Sequence, residues 1–108
     1  MMFSLHLSPT GPPRLSIEGE LDATTVGRLE PTLKLILSRC PTRLEIDVSR
    51  LRMIDSTGVG QLIAFGKRLK VIGCSFIIAG LRDQPLAVFR LLRFDKILAG
   101  VMAEAVAN

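Results

Sequence analysis

The stretch Met53-Ile-Asp-Ser-Thr-Gly-Val-Gly60 concentrates the groups most capable of chemistry in the chain: the carboxylate of Asp55, the hydroxyls of Ser56 and Thr57, and glycines at 58 and 60. Val59, Leu62, Ile63, Gly66 and Leu69 then recur at helical spacing, which puts this polar cluster at a helix N-terminus. A purely structural role fits the residue types: Asp55 or Ser56 caps the helix, and Gly58, in the first turn, lets it pack closely against a neighbouring strand. The same geometry suits a switch. A serine hydroxyl on a first turn is exposed where unpaired N–H groups and the positive end of the helix dipole favour an added anion. Phosphorylation there adds about 1.5–2 negative charges. The helix tolerates that charge, whereas an acidic partner surface docked on it would not, and Asp55 beside it sharpens the repulsion.

Other candidates carry less. Gly58-Val-Gly60 lacks the third glycine of a dinucleotide fingerprint, because position 63 is Ile. Gly60–Lys67 has one residue too many for a phosphate loop and is followed by Arg68 where Ser or Thr is required. His6, the one histidine, alternates onto the polar side of a strand and reads as solvated. Glu18, Glu20 and Asp22 alternate along a strand into a turn, as a solvated face rather than a metal site. Cys40 and Cys74 have no partner spacing for zinc or a disulfide framework and read as a helix-end and a core residue. With Tyr and Trp absent, a base-stacking platform has little to work with.

The elements that position the cluster follow from periodicity. Phe3, Leu5 and Leu7 alternate with polar residues, as do Leu15, Ile17, Gly19 and Leu21, with a Pro/Gly connection between: an antiparallel hairpin. A helix of about sixteen residues is expected next. Asp22 and Thr24 are its N-cap candidates, Val26, Leu29, Leu33, Ile36 and Leu37 its inner stripe, and Pro31 marks a late start or a kink. Residues 43–50 read as a strand and Ser56–Lys70 as a second helix, closed by Gly73 at C′. Cys74–Ala79 reads as a buried strand. Asp83-Gln84-Pro85 opens a third helix with Val88, Leu91 and Leu92 inward. Phe94–Leu98 is expected as a short last strand, and the tail 99–108 as a short final helix. The fold class is therefore α/β. It is a small β-α wound sheet, mostly parallel with an antiparallel N-terminal edge strand, of four to five strands and about four helices. In such sheets function gathers beyond the strand C-termini, which singles out the junctions 20–25 and 50–60.

Composition bounds the rest. A chain of 108 residues, 48% hydrophobic and 22% charged, is one domain with a core of about residues 3–98, and is not disordered. Unbroken apolar runs such as Leu62–Phe65 and Phe76–Ala79 are far too short to span a bilayer, and residues 1–15 have no basic n-region followed by an apolar stretch. A cytoplasmic, membrane-free protein is expected. The net charge of +4 comes from a dispersed, arginine-rich set. It suits forked contacts with an acidic protein partner as well as it suits nucleic acid, and nucleic-acid binding is not expected.

Residues 43–97 resemble a STAS domain, the module of bacterial anti-sigma-factor antagonists. The resemblance rests on Leu44-Glu-Ile-Asp-Val48, Ile54-Asp-Ser-Thr-Gly-Val-Gly60, Leu69, Gly73 and Phe94-Asp-Lys-Ile97, with Gly19-Glu-Leu-Asp22 ahead of the first helix. One departure is the turn before Phe94, where Leu91-Leu-Arg lacks the family's glycine. The resemblance implies a non-enzymatic binding module without a cofactor. Its unmodified form binds an anti-sigma factor that is also a serine kinase and frees the sigma factor. Phosphorylation of the serine matching Ser56 releases the complex, and a serine phosphatase resets it. By the same carry-over Asp22, Ala23, Thr24 and Thr25, with Asp55, Ser56, Thr57, Gly58 and Val59, form the docking rim. Self-association stays open. The alternative the family offers is an accessory subunit of a lipid-transport ABC system or of a stress-signalling scaffold, without a phosphorylation cycle.

Overall fold

A computed structural model describes residues 3–8 and 13–97. The hairpin forms as the alternation requires: β1 (Phe3–Leu7) pairs antiparallel with β2 (Arg14–Leu21), Leu5 opposite Ile17. β2 then takes two parallel partners on its other side. β3 (Arg43–Asp47) lies beside its first half, and β4 (Leu51–Ile54) beside its second, across an irregularity at Gly19/Glu20. β5 (Ser75–Ala79) pairs parallel with β3. Among the described residues the sheet has five strands, in the order β1-β2-β3-β5 with β4 paired only to β2.

Alternation sends Leu15, Ile17, Leu21, Leu44, Ile46, Phe76 and Ile78 to one face, where all are buried. They share one core with Leu29, Leu33 and Ile36 of the first helical segment and Val59, Leu62, Phe65 and Leu69 of the second. The opposite face, carrying Ser16, Glu18, Glu20, Glu45 and Asp47, stays half-exposed.

Several expectations change. The first helix is shorter than sixteen residues: a 3-10 turn (Val26–Arg28) leads into α1 (Glu30–Ser38), with Pro31 in its first turn. Neither Asp22 nor Thr24 caps it. Proline has no N–H to give, so the regular helix starts where that loss is free. The strand at residue 43 ends at Asp47, and a turn (Leu51 N–H to the Val48 carbonyl, 3.0 Å) restarts the lane as β4, which the periodicity did not reveal. β5 is buried on one face only: at the sheet edge, Ile77 is 42% exposed.

α2 (Ser56–Val71) runs as expected and adds Phe65 to its inner face. It closes with Gly73 at φ +79, its N–H on the Lys70 carbonyl (3.0 Å) and that of Cys74 on the Leu69 carbonyl (2.9 Å). This is the paired Schellman pattern. α3 (Asp83–Leu91) buries Pro85 and Phe89, not Leu91, which is 79% exposed, or Leu92. The segment from Phe94 is a helical turn, α4 (Phe94–Ile97), not a strand: the buried Phe94 ring sits 4.4 Å from that of Phe89 and holds the chain against α3. Arg93, in the turn before Phe94, takes a left-handed conformation (φ +56). The expected tail helix lies outside the described residues.

Candidate functional site

The two junctions singled out by the sequence meet at one rim, beyond the C-terminal ends of β2 and β4. Asp55 is the N-cap of α2. Its backbone is extended (φ −111, ψ −178), and its Oδ1 accepts from the Gly58 N–H at 2.9 Å. Its Oδ2 reaches across to accept from the Ala23 N–H at 3.2 Å, and its own N–H donates to the Leu21 carbonyl at 3.2 Å. One carboxylate thus ties the start of α2 to the turn after β2.

That turn is built by Asp22. Its Oδ1 accepts from the Thr24 hydroxyl (2.7 Å), the Thr24 N–H (2.9 Å) and the Thr25 N–H (3.2 Å). These bonds favour the ionised form, the Thr24 hydroxyl most of all, and hold the Asp22 carboxyl below the ordinary carboxylate range. Thr25 is 2% exposed. Its hydroxyl donates to the Glu20 carbonyl (2.8 Å) and accepts from the Asp22 N–H (3.0 Å), so both its hydrogen-bonding directions are used.

On this frame Ser56 occupies the first position of α2 and is exposed, with Thr57 exposed beside it. Gly58 and Val59 turn inward and are buried. A Cβ on Gly58 would stand 2.7 Å from the Leu21 carbonyl oxygen and 2.8 Å from Ile54 Cγ1. Glycine here is a matter of contact: the helix rests on the end of β2 and β4. Of the predicted rim residues, Ala23, Thr24, Ser56 and Thr57 face solvent, Asp22 and Asp55 are half-buried in the hydrogen-bonded frame, and Thr25, Gly58 and Val59 lie beneath it.

Two supports were not foreseen. Arg52 on β4 donates to Glu20 on β2 at 2.9 Å, an ion pair open to water and of little energetic weight. More telling is Gln84 at the start of α3. Its Oε1 accepts from the Ile54 N–H and its Nε2 donates to the Ile54 carbonyl, both at 2.9 Å. The signal in the sequence is slight: an amide beside a first-turn proline.

Glu18, Glu20 and Asp22 turn to separate partners, Glu18 to Ser4 (3.4 Å). Among the described residues no group of three metal-ligating side chains forms, and no helix is long and apolar enough to cross a membrane. His6 is exposed on β1. Burial pushes the Cys74 thiol pKa up, as suits a core residue, while Cys40 is exposed beyond α1. A hollow lined by Arg14, Arg43, Glu45, Ser75 and Ile77 lies at the strand N-termini, the end of the sheet opposite the rim.

Comparison with known proteins places this geometry. The family model described as Mlab, STAS domain matches residues 8–101. The anti-sigma-B factor antagonist of Listeria monocytogenes is 26% identical over 82 residues, 76% of this chain and 72% of that protein. An anti-sigma factor antagonist from Mycobacterium paratuberculosis has the same fold, with a TM-score of 0.80 at 21% identity over 93% of this chain and 94% of that one. The Bacillus cell fate determinant SpoIIAA in its phosphorylated form aligns with a TM-score of 0.67 at 20% identity, over 93% and 89% of the two chains.

Proposed function

Because the chain belongs to the STAS domain family, whose model covers residues 8–101, we propose that it is an anti-sigma-factor antagonist: a non-enzymatic binding module switched by phosphorylation of Ser56. The unmodified form binds an anti-sigma factor with serine kinase activity and so releases the sigma factor. Modification ends the complex, and a serine phosphatase restores it. The docking surface comprises Asp22–Thr25 and Asp55–Val59. ATP belongs to the kinase, and the module acts without a cofactor in the cytoplasm.

One observation carries this reading. Ser56 is exposed on the first turn of α2, on a rim whose backbone is fixed from both sides by Asp55. A kinase needs an accessible hydroxyl, and a switch that leaves the fold intact needs a helix start that tolerates a dianion. Relatives described as antagonists support the same reading, among them SpoIIAA, which is also solved in a phosphorylated form.

The test is incubation with the cognate anti-sigma kinase and ATP, followed by phosphopeptide mapping and titration of the complex. Phosphate on Ser56 and a loss of affinity on modification are expected, and Ser56→Ala should bind constitutively. Phosphate elsewhere, or a complex indifferent to modification, overturns the proposal. Ser56→Asp is a weaker probe, since it adds about one charge and fewer acceptor oxygens.

A second reading draws on the family model's own description, which names Mlab and not an antagonist. Under it the chain is an accessory subunit of a lipid-transport ABC assembly, with no phosphorylation cycle. Genes beside its own decide between the two: a kinase-like anti-sigma gene favours the first, permease and lipid-binding genes the second.

A further inference from the structure

We infer that Gln84 is a positioning residue for Ser56: α3, through one carboxamide, fixes the end of β4 from which the Asp55–Gly58 turn springs. This rests on the reading of Ser56 as the switch residue. The reasoning starts from the sheet. In the parallel pairing of β4 with β2, the Leu21 carbonyl takes the Asp55 N–H, so the N–H and C=O of Ile54 point away from β2. On that side a further strand would supply their partners. β5 pairs with β3 from Arg43 to Asp47 and goes no further, so among the described residues no strand reaches Ile54 on that side. Ile54 is 2% exposed, and its backbone groups need protein partners.

Gln84 supplies both. Its acceptor meets the Ile54 N–H and its donor meets the Ile54 carbonyl, each at 2.9 Å. A carboxamide presents the same donor and acceptor as a peptide group, so the side chain stands in for one residue of a missing strand. The chain approaches it through an extended Arg82 and a left-handed Asp83 (φ +54). Leucine leaves two buried backbone groups unpaired, and an ionised carboxylate opposes its lone pairs to the Ile54 carbonyl. The next residue along the chain is Asp55, whose two oxygens hold Gly58 and Ala23, and the next is Ser56. Slack at Ile54 therefore passes directly into the rim.

Amide exchange on the full-length protein tests this, with Gln84→Leu, Gln84→Glu and, as a packing control on the same helix, Val88→Ala. In Gln84→Leu the protection factors of Ile54 and Gly58 should fall about tenfold, the ratio for roughly one net hydrogen bond. Gln84→Glu should match it at neutral pH and recover as pH falls through the carboxylate range, because the protonated acid again both donates and accepts. Val88→Ala should lower the Tm without singling out those amides. Unchanged protection in Gln84→Leu, a loss spread evenly over the core amides as in the control, or no recovery of Gln84→Glu in acid overturns the inference. With the kinase, Gln84→Leu should show a raised KM at Ser56, and equal kcat/KM for it and the wild type also overturns the coupling. If the wild type is not phosphorylated at all, the reading of Ser56 falls, while the exchange result still decides whether Gln84 holds the rim.

Discussion

The two strand-to-helix junctions of the rim are built from similar residues and behave differently. After β2 come Asp22-Ala-Thr-Thr25, and the regular helix waits until Glu30. After β4 come Asp55-Ser-Thr-Gly58, and α2 starts at once. The Asp22 carboxylate is consumed within its own turn by Thr24 and Thr25. Asp55 caps a helix and also reaches the other junction. Two residues account for the contrast. Gly58 lets α2 settle against Leu21 and Ile54, whereas Pro31 forbids an internal hydrogen bond and delays α1 until it can lie in a first turn. The lesson is that a capping residue announces a helix only when the residues three or more positions on allow the helix to sit on its neighbours.

Removing the floor beneath both junctions should have the largest effect. Ile46→Ala, in the strand between β2 and β5, should cost about 2–5 kcal/mol by denaturant unfolding, and a value near zero would deny that β3 is central. Next comes the contact that separates the junctions. Gly58→Val meets the Leu21 carbonyl and should lose stability at the upper end of about 1–3 kcal/mol, or more. Gly60→Ala, with open space around the added methyl, should be neutral or gain up to about 1 kcal/mol, and Thr57→Ala should stay within about 0.5 kcal/mol. Equal melting midpoints for the valine and threonine variants would refute this placement of the helix. Asp55→Ala should cost about 1 kcal/mol for the lost cap and should also loosen the Ala23 amide in hydrogen exchange, a cross-junction effect that Asp22→Ala should not mirror at Gly58.

The smallest effect is electrostatic. The folded-state pKa of Asp22 is depressed by its hydrogen bonds. Its contribution is therefore present above the ordinary carboxylate range and lost as pH falls through the lowered value. A plot of Tm against pH should fall less steeply in acid for Asp22→Asn than for the wild type. Identical acid limbs would show that the turn is indifferent to the charge.

Where burial follows a simple period, the fold was legible in residue order. β1, β2 and β3 alternate cleanly, and α2 carries an apolar stripe between a capping aspartate and a closing glycine. The rim was legible for the same reason: Asp55, Ser56 and Gly58 sit at fixed offsets from that helix. β4 was not, because Leu51-Arg-Met-Ile54 buries its two ends and exposes its middle, a pattern with neither period. The last segment misled because Phe94 and Ile97 are apolar residues that a strand and a helical turn can both use, and only the Phe89 ring decides between them.

Residue order by itself determined which segments are strands and helices where one face must be dry, and it set a hydroxyl behind a capping carboxylate at the start of α2. Only the folded chain decided that β4 shares a lane with β3, that Asp55 joins two turns 32 residues apart, and that Gln84 completes a strand that is not there. The physical reason is range. Periodicity and capping are interactions between near neighbours. A buried peptide group must instead find its partner wherever the packed chain brings one within about 3 Å, and nothing local in the sequence records where that will be.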